Sequence, residues 1–468
     1  MDQAAVHLIG LDFGSTTSSV LVAKARIGHH GLTGRMTLEA PQVIYRPEPV
    51  FTPFRGTDID DVAIEALLDR WLGASGLAAP DFFAGGTIIT GLAALRDNAA
   101  ILARAVGARI GEGVVATAAD PCLESWLAFM GSCSMLSRVH ADRAVLNLDI
   151  GGGTTNPALG RNGAVTATGC HYVGARHFQV QPGSYRLTAM SEHGRALLHA
   201  LGIVRKIGEE LSQTHLEAIL DWYIAALEAI VQGDRAFFAT PVGRMHEQVA
   251  FPGAKDAAVT FSGGVGELLY RRATGEPMPS TTHFGDLGID LAERIATSPR
   301  LSRDLRNLVP EQRGRATVYG LALHSTEVSG ATLCLPDGGA LPLRDLPIVA
   351  RLSMNADAAT IDAAVALARR HARGACIQVL GVAAVHEHVK LLGERFEKAL
   401  GSHPSCDHTL VLLLDANVGK TLGNYATSWG KMPNGLIVLD EMPDRQAHFA
   451  NLGRMRDGVV PVAFYGMY

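Results

Sequence analysis

The stretch Leu146–Thr155, with the sequence LNLDIGGGTT, constrains the fold more than any other part of the chain. The apolar run Val145–Ile150 predicts a buried strand that delivers Asp149 to its end. The three glycines that follow can continue this strand only as a tight turn, whose bare backbone amides form a cradle for an anion. Asp149 would hold a magnesium ion through water, and Thr154 and Thr155 would offer hydroxyls to phosphate oxygens. The same residues also fit a glycine-rich hairpin that the aspartate caps.

Nearly the same pattern occurs earlier in the sequence, in His7–Val22. An apolar run delivers Asp12, a glycine turn and several hydroxyl residues follow, and a second apolar run leads away. The duplication would place two carboxylates and two amide cradles on opposite sides of one phosphate chain. It therefore predicts a nucleotide site built from two lobes. The residues of the first cradle are Gly14, Ser15, Thr16 and Thr17.

A third stretch, Ala257–Leu268, completes the pattern. It reads as a strand that enters a Ser-Gly-Gly turn and opens a helix. Its small residues would let the backbone pack flat against a purine and a ribose.

These three stretches, in this order, resemble the actin, sugar kinase and heat-shock chaperone ATPase superfamily. The resemblance implies an α/β chain with a two-lobed actin-like ATPase fold, in which helices flank mixed sheets. It implies that Asp12–Thr17 form the first phosphate loop, Asp149–Thr155 the second, and Ser262–Glu267 the adenosine loop. In that superfamily an acidic or amide side chain on an intervening helix positions magnesium-bound water, and Glu124 stands at a suitable place. Glu124 also fits an ordinary solvated helix residue.

The resemblance thus gives a set of candidate site residues. Asp12, Asp149 and Glu124 are the candidate catalytic residues, and the first two are also the candidate metal-holding residues. The candidate nucleotide-binding residues are Gly14, Ser15, Thr16, Thr17, Gly151, Gly152, Gly153, Thr154, Thr155, Ser262, Gly263, Gly264 and Glu267.

Composition excludes several other classes of protein. The chain has 468 residues, enough for about three domain-sized units. With 47% apolar and 19% charged residues it is neither disordered nor fibrous. Its net charge of −5 provides no basic footprint, so a nucleic-acid partner is disfavoured.

The cysteines and the hydropathy pattern indicate the compartment. The six cysteines are scattered without metal-site or disulfide-framework spacing, and the 18 histidines include no His-Glu-x-x-His motif. Neither a signal-like leader nor an apolar run of membrane-spanning length is visible. We therefore expect a cytoplasmic protein with reduced thiols and no membrane partner.

The predicted elements of the N-terminal lobe, residues 1–142, alternate strands with helices, which favours a sheet covered by helices. A hairpin over residues 7–26 carries the first phosphate loop, and a further strand over 37–45 is interrupted at Pro41. The other predicted elements are helices over 58–72, 92–106 and 122–130 and strands over 86–91 and 114–117.

The second lobe, residues 143–330, and the C-terminal α/β unit, residues 331–468, complete the division. In the second lobe we expect a strand over 164–168, a helix over 216–231 with a Thr214/Glu217 capping box and a stop at Gly233, and a strand at Ala316–Gly320. The C-terminal unit should contain helices over 358–373 and 386–400 and strands over 377–382, 410–414 and 436–439. Asp415–Thr421 looks like a P-loop but lacks its first glycine, so we predict a structural turn that opens a helix.

Beyond the phosphate loops, the chain resembles one family closely, the reactivating factors of ethanolamine ammonia-lyase. The resembling stretches include 43–45 with 51–54, 87–91, 113–118 with 123–125, 147–156, 260–265, 285–288, 315–318 with 325–330, and 419–423. The resemblance implies a chaperone-like ATPase that uses ATP and Mg²⁺. It would release damaged cobalamin from the adenosylcobalamin-dependent lyase so that intact cofactor can rebind.

The chain departs from the family pattern in four places: 92–99, Asn156-Pro157, Val173–Arg176 and Pro443–Phe449. These departures leave alternatives open. The protein is either the lyase reactivating factor, a paralogue that serves another cobalamin enzyme, a small-molecule kinase of the same fold, or a nucleotide-binding scaffold, which a second loop distorted by Pro157 would favour. A homo-oligomer also stays open.

Overall fold

The computed structural model describes residues 5–29, 36–55, 58–90, 106–107, 109–110, 114–118, 120–330, 332–335, 340–403, 408–431 and 435–467. The helix predicted over 92–106, and with it the departure at 92–99, lies outside the described residues except for Val106.

The N-terminal lobe is built on a mixed sheet whose central hairpin carries the first phosphate loop at its turn. Strand β1 (Ala5–Phe13) pairs antiparallel with β2 (Thr17–His29), as the sequence predicts, and pairs parallel with β7 (Phe82–Ile89) on its other side. The sheet order is β3 (Met36–Tyr45), β2, β1, β7 and β8 (Val114–Ala118), with β4 (Val50–Phe51) on β2. β3 runs through Pro41, but its pairing with β2 shifts register between Arg26–Glu39 and Lys24–Gln42, so the predicted interruption at Pro41 is present as a bulge in the ladder and not as a break in the strand.

Helix α1 (Asp61–Ser75) covers one face of this sheet with Ile64, Leu67, Leu68 and Trp71. It begins three residues later than predicted, because Asp58–Ile59 (β6) pairs with Phe54–Arg55 (β5) and Asp60 caps the helix by accepting from the Ala63 N–H. It ends where Gly76 adopts φ 70°.

The second lobe repeats the central arrangement of the first. Strand β9 (Val145–Ile150) pairs antiparallel with β10 (Thr155–Arg161) and parallel with β16 (Ala258–Ser262). Pro157 lies within β10 opposite Leu148, and the strand continues through it. The remaining strands of the lobe are β11 (Ala164–Thr168), β12 (Cys170–His171), β13 (Phe178–Val180), β14 (Leu187–Met190) and β15 (Glu247–Val249).

Helices α2 (Pro121–Ser132) and α3 (Ser134–Val139) precede β9 in the chain. The second lobe itself contains α9 (Gly288–Thr297) and, before it, further helices. They are α4 (Glu192–Ala200), α5 (Gln213–Gln232), α6 (Arg235–Phe238), α7 (Pro241–His246) and α8 (Gly263–Thr274). The predicted Thr214/Glu217 capping box is wrong, because α5 begins after Ser212, whose side chain accepts from His215 while the His215 ring accepts from the Ser212 N–H. The predicted stop at Gly233 is confirmed by its φ of 71°.

The two lobes meet where α2 crosses α10 (Ala316–His324). The strand predicted at Ala316–Gly320 is wrong, because this segment is a helix that is buried on almost every side and therefore shows no helical period in its apolar residues. The crossing is very close: a Cβ at Gly131 would lie 2.0 Å from the Ala316 carbonyl oxygen, and one at Gly320 would lie 2.2 Å from the Leu127 carbonyl oxygen. Only glycine at both positions permits this crossing.

The C-terminal unit is a seven-stranded mixed sheet with helices α11 (Ala358–Ala368), α12 (His386–Ser402) and α13 (Gly419–Ala426). Its order is β17 (Thr326–Ser329), β23 (Val460–Met467), β22 (Ala447–Leu452), β18 (Leu343–Ser353), β19 (Ala375–Leu380), β20 (Leu410–Leu414) and β21 (Leu436–Leu439). The predicted strands and helices of this unit are confirmed, although α11 ends five residues earlier than predicted. The P-loop-like segment is a turn that opens α13, as predicted.

The third sheet is attached to α2. Asp120 caps this helix by accepting from the Leu123 N–H at 3.0 Å, and its other oxygen accepts from the Gly466 and Met467 N–H groups of β23 at 2.6 and 3.2 Å. The Arg445 guanidinium, in one of the segments that depart from the family pattern, lies 4.6 Å from the ring centre of Trp126 on α2. One hydrophobic core joins α2 to β22 and β23.

The predicted fold class is confirmed: helices flank mixed sheets in two lobes, and a further α/β unit follows. The limits 1–142, 143–330 and 331–468 stay a proposal, to which the structure adds that α10 packs on β1 and that β17 belongs to the third sheet. Within the described ranges, no helix is long and apolar enough to span a membrane.

Candidate functional site

A cleft of about 440 Å³ separates the lobes at the carboxyl ends of β1, β7, β9 and β16. The predicted site residues that line it are Asp12, Gly14, Ser15, Thr16, Thr17, Glu124, Asp149, Gly151, Gly152, Gly153, Thr154, Gly263, Gly264 and Glu267. Two predicted residues, Thr155 and Ser262, are fully buried and lie behind the cleft surface.

The two phosphate loops contain the same turn. The Gly14 N–H donates to the Thr17 carbonyl at 3.0 Å, and the Gly151 N–H donates to the Thr154 carbonyl at 2.9 Å. In each loop this glycine comes two residues after the acid, Asp12 or Asp149. The pattern that is duplicated in the sequence is therefore duplicated in geometry.

The loops face each other across the cleft. A Cβ at Gly152 would lie 2.6 Å from the Thr16 hydroxyl oxygen and 3.4 Å from the Ser15 Cβ. Glycine at position 152 thus leaves the room in which the first loop approaches the second. The amides of the two loops are near enough to contact one phosphate chain together.

Asp12 is half-buried near the end of β1, and Thr90 donates from its hydroxyl to Asp12 Oδ1 at 3.0 Å. Burial raises the pKa of Asp12 to about 7, against the lowering effect of the Thr90 hydrogen bond, and the nearby Asp149 carboxylate raises it further. Thr90 lines the cleft and was not among the predicted site residues.

Asp149 is 5% exposed at the end of β9, and the Ser262 hydroxyl donates to its Oδ1 at 2.5 Å. Burial raises the pKa of Asp149 to about 6, and the Ser262 hydrogen bond lowers it. The Ser262 side chain is thus used to hold Asp149 and does not reach the cleft surface.

The two acids suit a divalent cation. Within the described part of the chain, neither carboxylate is influenced by a lysine or arginine, and the Asp149 charge disfavours ionisation of Asp12. Two oxygen-bearing acids that face one cleft without a cationic partner provide ligands of the type that Mg²⁺ prefers. The residues present therefore fit the metal that the resemblance implies.

Three helices direct their amino termini at the cleft. The first residues of α8, α9 and α10, which are Gly263, Gly288 and Ala316, all line it. Among the described residues, no side chain caps the starts of α8 and α10 by a hydrogen bond, whereas Asp286 Oδ1 accepts from the Gly288 N–H at the start of α9 at 2.9 Å. The unpaired first N–H groups and the positive dipole ends of α8 and α10 make the cleft a site for an anion.

The predicted adenosine loop forms the far wall. Gly263 adopts φ 79°, and a Cβ there would lie 2.5 Å from the Ile150 carbonyl oxygen, so this turn requires glycine. A Cβ at Gly264 would meet no atom within 4 Å, which leaves open space along the wall. Glu267 pairs with Arg313 at 3.2 Å.

Glu124 lies in the first turn of α2, lines the cleft and is 9% exposed. It is therefore not an ordinary solvated helix residue. Thr155 is placed differently from the expectation, because its hydroxyl donates to the Val173 carbonyl at 2.7 Å.

The segment Val173–Arg176, which departs from the family pattern, supports the second phosphate loop from behind. The Ala175 and Arg176 N–H groups donate to the Gly151 and Gly152 carbonyls at 3.2 and 2.5 Å. These bonds hold the carbonyl side of the turn. This segment therefore stabilises the second phosphate loop through backbone hydrogen bonds.

A proline-rich segment of the first lobe closes one side of the cleft. Glu48, Pro49 and Phe51 line it. Arg315 donates to the Pro47 carbonyl at 2.7 Å and to Glu48 Oε2 at 2.8 Å. This contact could not be predicted from the sequence, because no local pattern pairs two segments that are more than 260 residues apart.

Four histidines pack behind the second phosphate loop. His171, His177 and His246 are at most 1% exposed, and His193 stacks on Tyr172 at 4.0 Å. Burial lowers the pKa of His171 and of His246 to about 4 and that of His177 to about 3. They are core histidines, and among the described residues no group of three or more His, Cys, Asp or Glu side chains could hold a metal ion.

Comparison with known proteins identifies a family model and relatives that agree with one another. The family model described as "Ethanolamine utilisation protein EutA" matches residues 4–466. A protein named ethanolamine ammonia-lyase reactivase EutA from Salmonella typhimurium is 30% identical over 357 residues, which cover 73% of this chain and 71% of the relative. The protein of the same name from Escherichia coli is 28% identical over 344 residues, with the same coverage of 73% and 71%.

The similarity to solved structures is weaker than the similarity to these relatives. The Ppx/GppA family member from Aquifex aeolicus is 11% identical, with a TM-score of 0.33, and the match covers 68% of this chain and 89% of that one. A similarity of this degree does not bear on function.

Proposed function

The chain belongs to the family of ethanolamine utilisation protein EutA, and from this premise we propose that it reactivates ethanolamine ammonia-lyase. The protein binds the lyase whose cobalamin has lost its adenosyl group and uses ATP with Mg²⁺ to release the damaged cobalamin. Intact adenosylcobalamin then rebinds. Relatives with the name of this reactivase, over almost three quarters of the chain, support this proposal.

The single observation that carries the nucleotide part of the proposal is the pair of matching turns. Two glycine turns, each two residues after an acid that lines the cleft, face each other in one cleft. An arrangement of this kind suits a ligand with several phosphates and a bound cation. A small-molecule kinase would need a further base beside an acceptor pocket, and we assign none.

Each residue has a defined task in this proposal. Asp12 and Asp149 would hold Mg²⁺, which supplies charge neutralisation at the phosphates when it is bound. The amides of the two turns hold phosphate oxygens, and the starts of α8 and α10 add positive potential. Glu124, at the start of α2, orients the attacking water by accepting a hydrogen bond from it.

The lobes transmit the nucleotide state. A triphosphate that contacts both turns favours the closed arrangement, and its hydrolysis removes contacts that join the lobes. The close crossing of α2 and α10 is where the lobes turn against each other. Because α2 also contacts the third sheet, the change reaches a surface that a partner enzyme can contact.

The test is reactivation in a purified system. Ethanolamine ammonia-lyase inactivated with hydroxocobalamin is incubated with the protein, adenosylcobalamin, ATP and Mg²⁺, and lyase activity is followed. We expect activity to return only when ATP and Mg²⁺ are both present. Asp12→Asn and Asp149→Asn should each abolish the return.

The matched control is Asp256→Asn, which makes the same chemical change at an exposed position. This variant should reactivate the lyase as well as the wild type does. If the wild type binds ATP and Mg²⁺ but never restores the activity of the lyase, the partner is instead another cobalamin enzyme. If it binds no ATP, the nucleotide site itself is wrongly proposed.

A further inference from the structure

Each of the two cleft acids accepts a hydrogen bond from a hydroxyl at the end of the strand next to it. Thr90 directly follows β7, the parallel neighbour of β1, and donates to Asp12 Oδ1 at 3.0 Å. Ser262 ends β16, the parallel neighbour of β9, and donates to Asp149 Oδ1 at 2.5 Å. The same hydroxyl–carboxylate pair therefore occurs in both lobes, on side chains that the sequence pattern did not connect.

The pair in the second lobe has further support behind it. Asn147 and Thr260 lie opposite each other in the register of β9 and β16, two residues before Asp149 and Ser262. The Thr260 hydroxyl lies 3.3 Å from Asn147 Oδ1, from the Leu146 carbonyl oxygen and from the Cys133 sulfur, and Asn147 Nδ2 donates to the Ser262 oxygen at 2.7 Å. From Asn147 the donors run in one direction, through Ser262 to the carboxylate.

This row of polar side chains is unusual for its position. Asn147, Thr260 and Ser262 are all 0% exposed, in the centre of a sheet whose neighbouring residues are apolar. Packing alone would be served equally well by valine or alanine there, and buried polar groups are tolerated only when each has a partner. The row is complete, and it ends on a residue that faces the cleft.

The geometry also determines how each acid can act. A carboxylate whose Oδ1 is held by a hydroxyl on the next strand cannot rotate freely about its last bond. Its Oδ2 is then the oxygen left for the cleft. Because both acids are held in this way, both offer a single oxygen in a fixed direction.

We infer that Thr90 and Ser262 are positioning residues that fix the two acids for a magnesium-bound nucleotide, with Asn147 and Thr260 as the support of Ser262. The inference rests on the proposed nucleotide site. It reassigns Ser262, which the sequence placed against the adenosine, to the orientation of Asp149. It also adds Thr90, Asn147 and Thr260 to the functional residues.

The test uses the full chain with Ser262→Ala, which removes one hydroxyl, and Thr90→Val, which replaces one hydroxyl with a methyl group of similar shape. ATP binding is measured by calorimetry as Mg²⁺ is raised, and again without metal. Residues that orient metal ligands typically contribute 10- to 100-fold to metal affinity. We therefore expect the Mg²⁺ concentration for half-saturation to rise by about tenfold or more in each variant, while metal-free ATP binding stays near the wild-type value.

Ser137→Ala is the matched control. Ser137 is a 0% exposed serine on α3 whose hydroxyl is hydrogen bonded to the Gly163 N–H and the Ser134 carbonyl and not to either acid. This variant should lose some thermal stability and keep the wild-type Mg²⁺ dependence. If Ser262→Ala and Thr90→Val behave like Ser137→Ala, the two hydroxyls are only structural and the inference is overturned.

A second measurement separates this inference from the proposed function. Crystal structures of the nucleotide-free wild type and of Thr90→Val and Ser262→Ala would show the orientation of the Asp12 and Asp149 carboxylates. We expect each carboxylate to rotate or become disordered only in the variant that lacks its donor. Unchanged carboxylates in both variants would overturn the inference, whereas a wild type that binds no ATP would overturn the proposed function instead.

Discussion

At the scale of single residues, the placement of the cleft acids lowers the stability of the nucleotide-free protein. Asp12 has a folded-state pKa of about 7 against an ordinary 3.8, chiefly because it is buried. Above pH 7 the folded chain must therefore carry a buried charge that the unfolded chain exposes to water. The penalty amounts to about 4 kcal/mol at alkaline pH, as an order of magnitude. The penalty decreases gradually as the pH falls from about 7 toward 3.8, because the folded protein takes up the proton first.

Asp12→Asn should consequently stabilise the nucleotide-free protein while it weakens the binding of magnesium and ATP. The amide keeps an oxygen for the Thr90 hydroxyl and carries no charge. At pH 8 we expect its melting temperature to exceed that of the wild type by about 5 °C, and the difference to shrink toward pH 6. Differential scanning calorimetry across this range checks the prediction. A variant that is less stable than the wild type at pH 8 would contradict it.

The buried histidines behind the second loop respond to pH in the opposite sense. Their folded-state pKa values of about 3 to 4 lie below the ordinary 6.5. Below pH 6.5 the unfolded chain binds protons that the folded chain does not bind, so stability falls with pH between about 6.5 and 4. For three such groups the slope approaches about 4 kcal/mol per pH unit.

His246→Phe should reduce this slope by about one third. The phenyl ring can keep the contact that the imidazole makes with Trp222 at 4.6 Å, but it cannot be protonated. Urea unfolding, followed from pH 7 to pH 5 for the variant and the wild type, measures the slope. The control is His199→Phe at an exposed position of α4. An equal loss of slope in both variants would show that the buried site is not the cause.

At the scale of elements, features that depend on local sequence were predicted correctly, whereas features that depend on non-local packing were not. The two phosphate turns, β9, α8 and most of the third unit follow from apolar runs and glycines, which act over a few residues. The strand predicted at Ala316–Gly320 failed because a helix buried on all sides has no polar face to reveal its period. The roles of Thr90 and Ser262 depend on which strand lies next to which, and the sequence alone does not show this register.

The crossing of α2 and α10 leads to a prediction about elements. Gly131→Ala or Gly320→Ala would place a Cβ within 2.2 Å of a backbone oxygen of the other helix, and backbone on both sides cannot move aside. We expect each substitution to destabilise the protein by about 3 kcal/mol or more and to alter nucleotide affinity, because the lobes are forced apart. Thermal unfolding with and without ATP measures both effects.

Gly73→Ala is the control for this pair. Gly73 is also inside a helix, α1, but a Cβ there would meet no atom within 4 Å. Alanine should stabilise α1 by about 0.5–1 kcal/mol. If Gly131→Ala stabilised the protein in the same way, the close approach of α2 and α10 would be contradicted.

At the scale of the whole molecule, Asp120 connects the third sheet with the helix that carries Glu124 into the cleft. Asp120 caps the helix that carries Glu124 and accepts two N–H groups from β23. The loss of an N-cap side chain alone costs about 1 kcal/mol. Replacement of Asp120 therefore affects two elements that otherwise belong to different units.

Asp120→Ala should increase hydrogen exchange in both α2 and β23 and weaken ATP binding. The matched control is Asp357→Ala, which removes the cap of α11 within the third unit, where Asp357 accepts from the Thr360 N–H at 2.8 Å. Its effect should stay within α11. Exchange mass spectrometry of both variants distinguishes them, and an unchanged β23 in Asp120→Ala would contradict the shared role.

The double use of Asp120 has a thermodynamic consequence for any protein that docks on the third sheet. If docking displaces β23, α2 loses two constraints at the end that holds Glu124, and the cleft is altered without being touched. Coupling between two binding sites is reciprocal, so a partner that changes the affinity for nucleotide by some factor has its own affinity changed by nucleotide by the same factor. A damaged enzyme would in this way act as an effector of the cleft, and the occupied cleft would decide how long the enzyme is held.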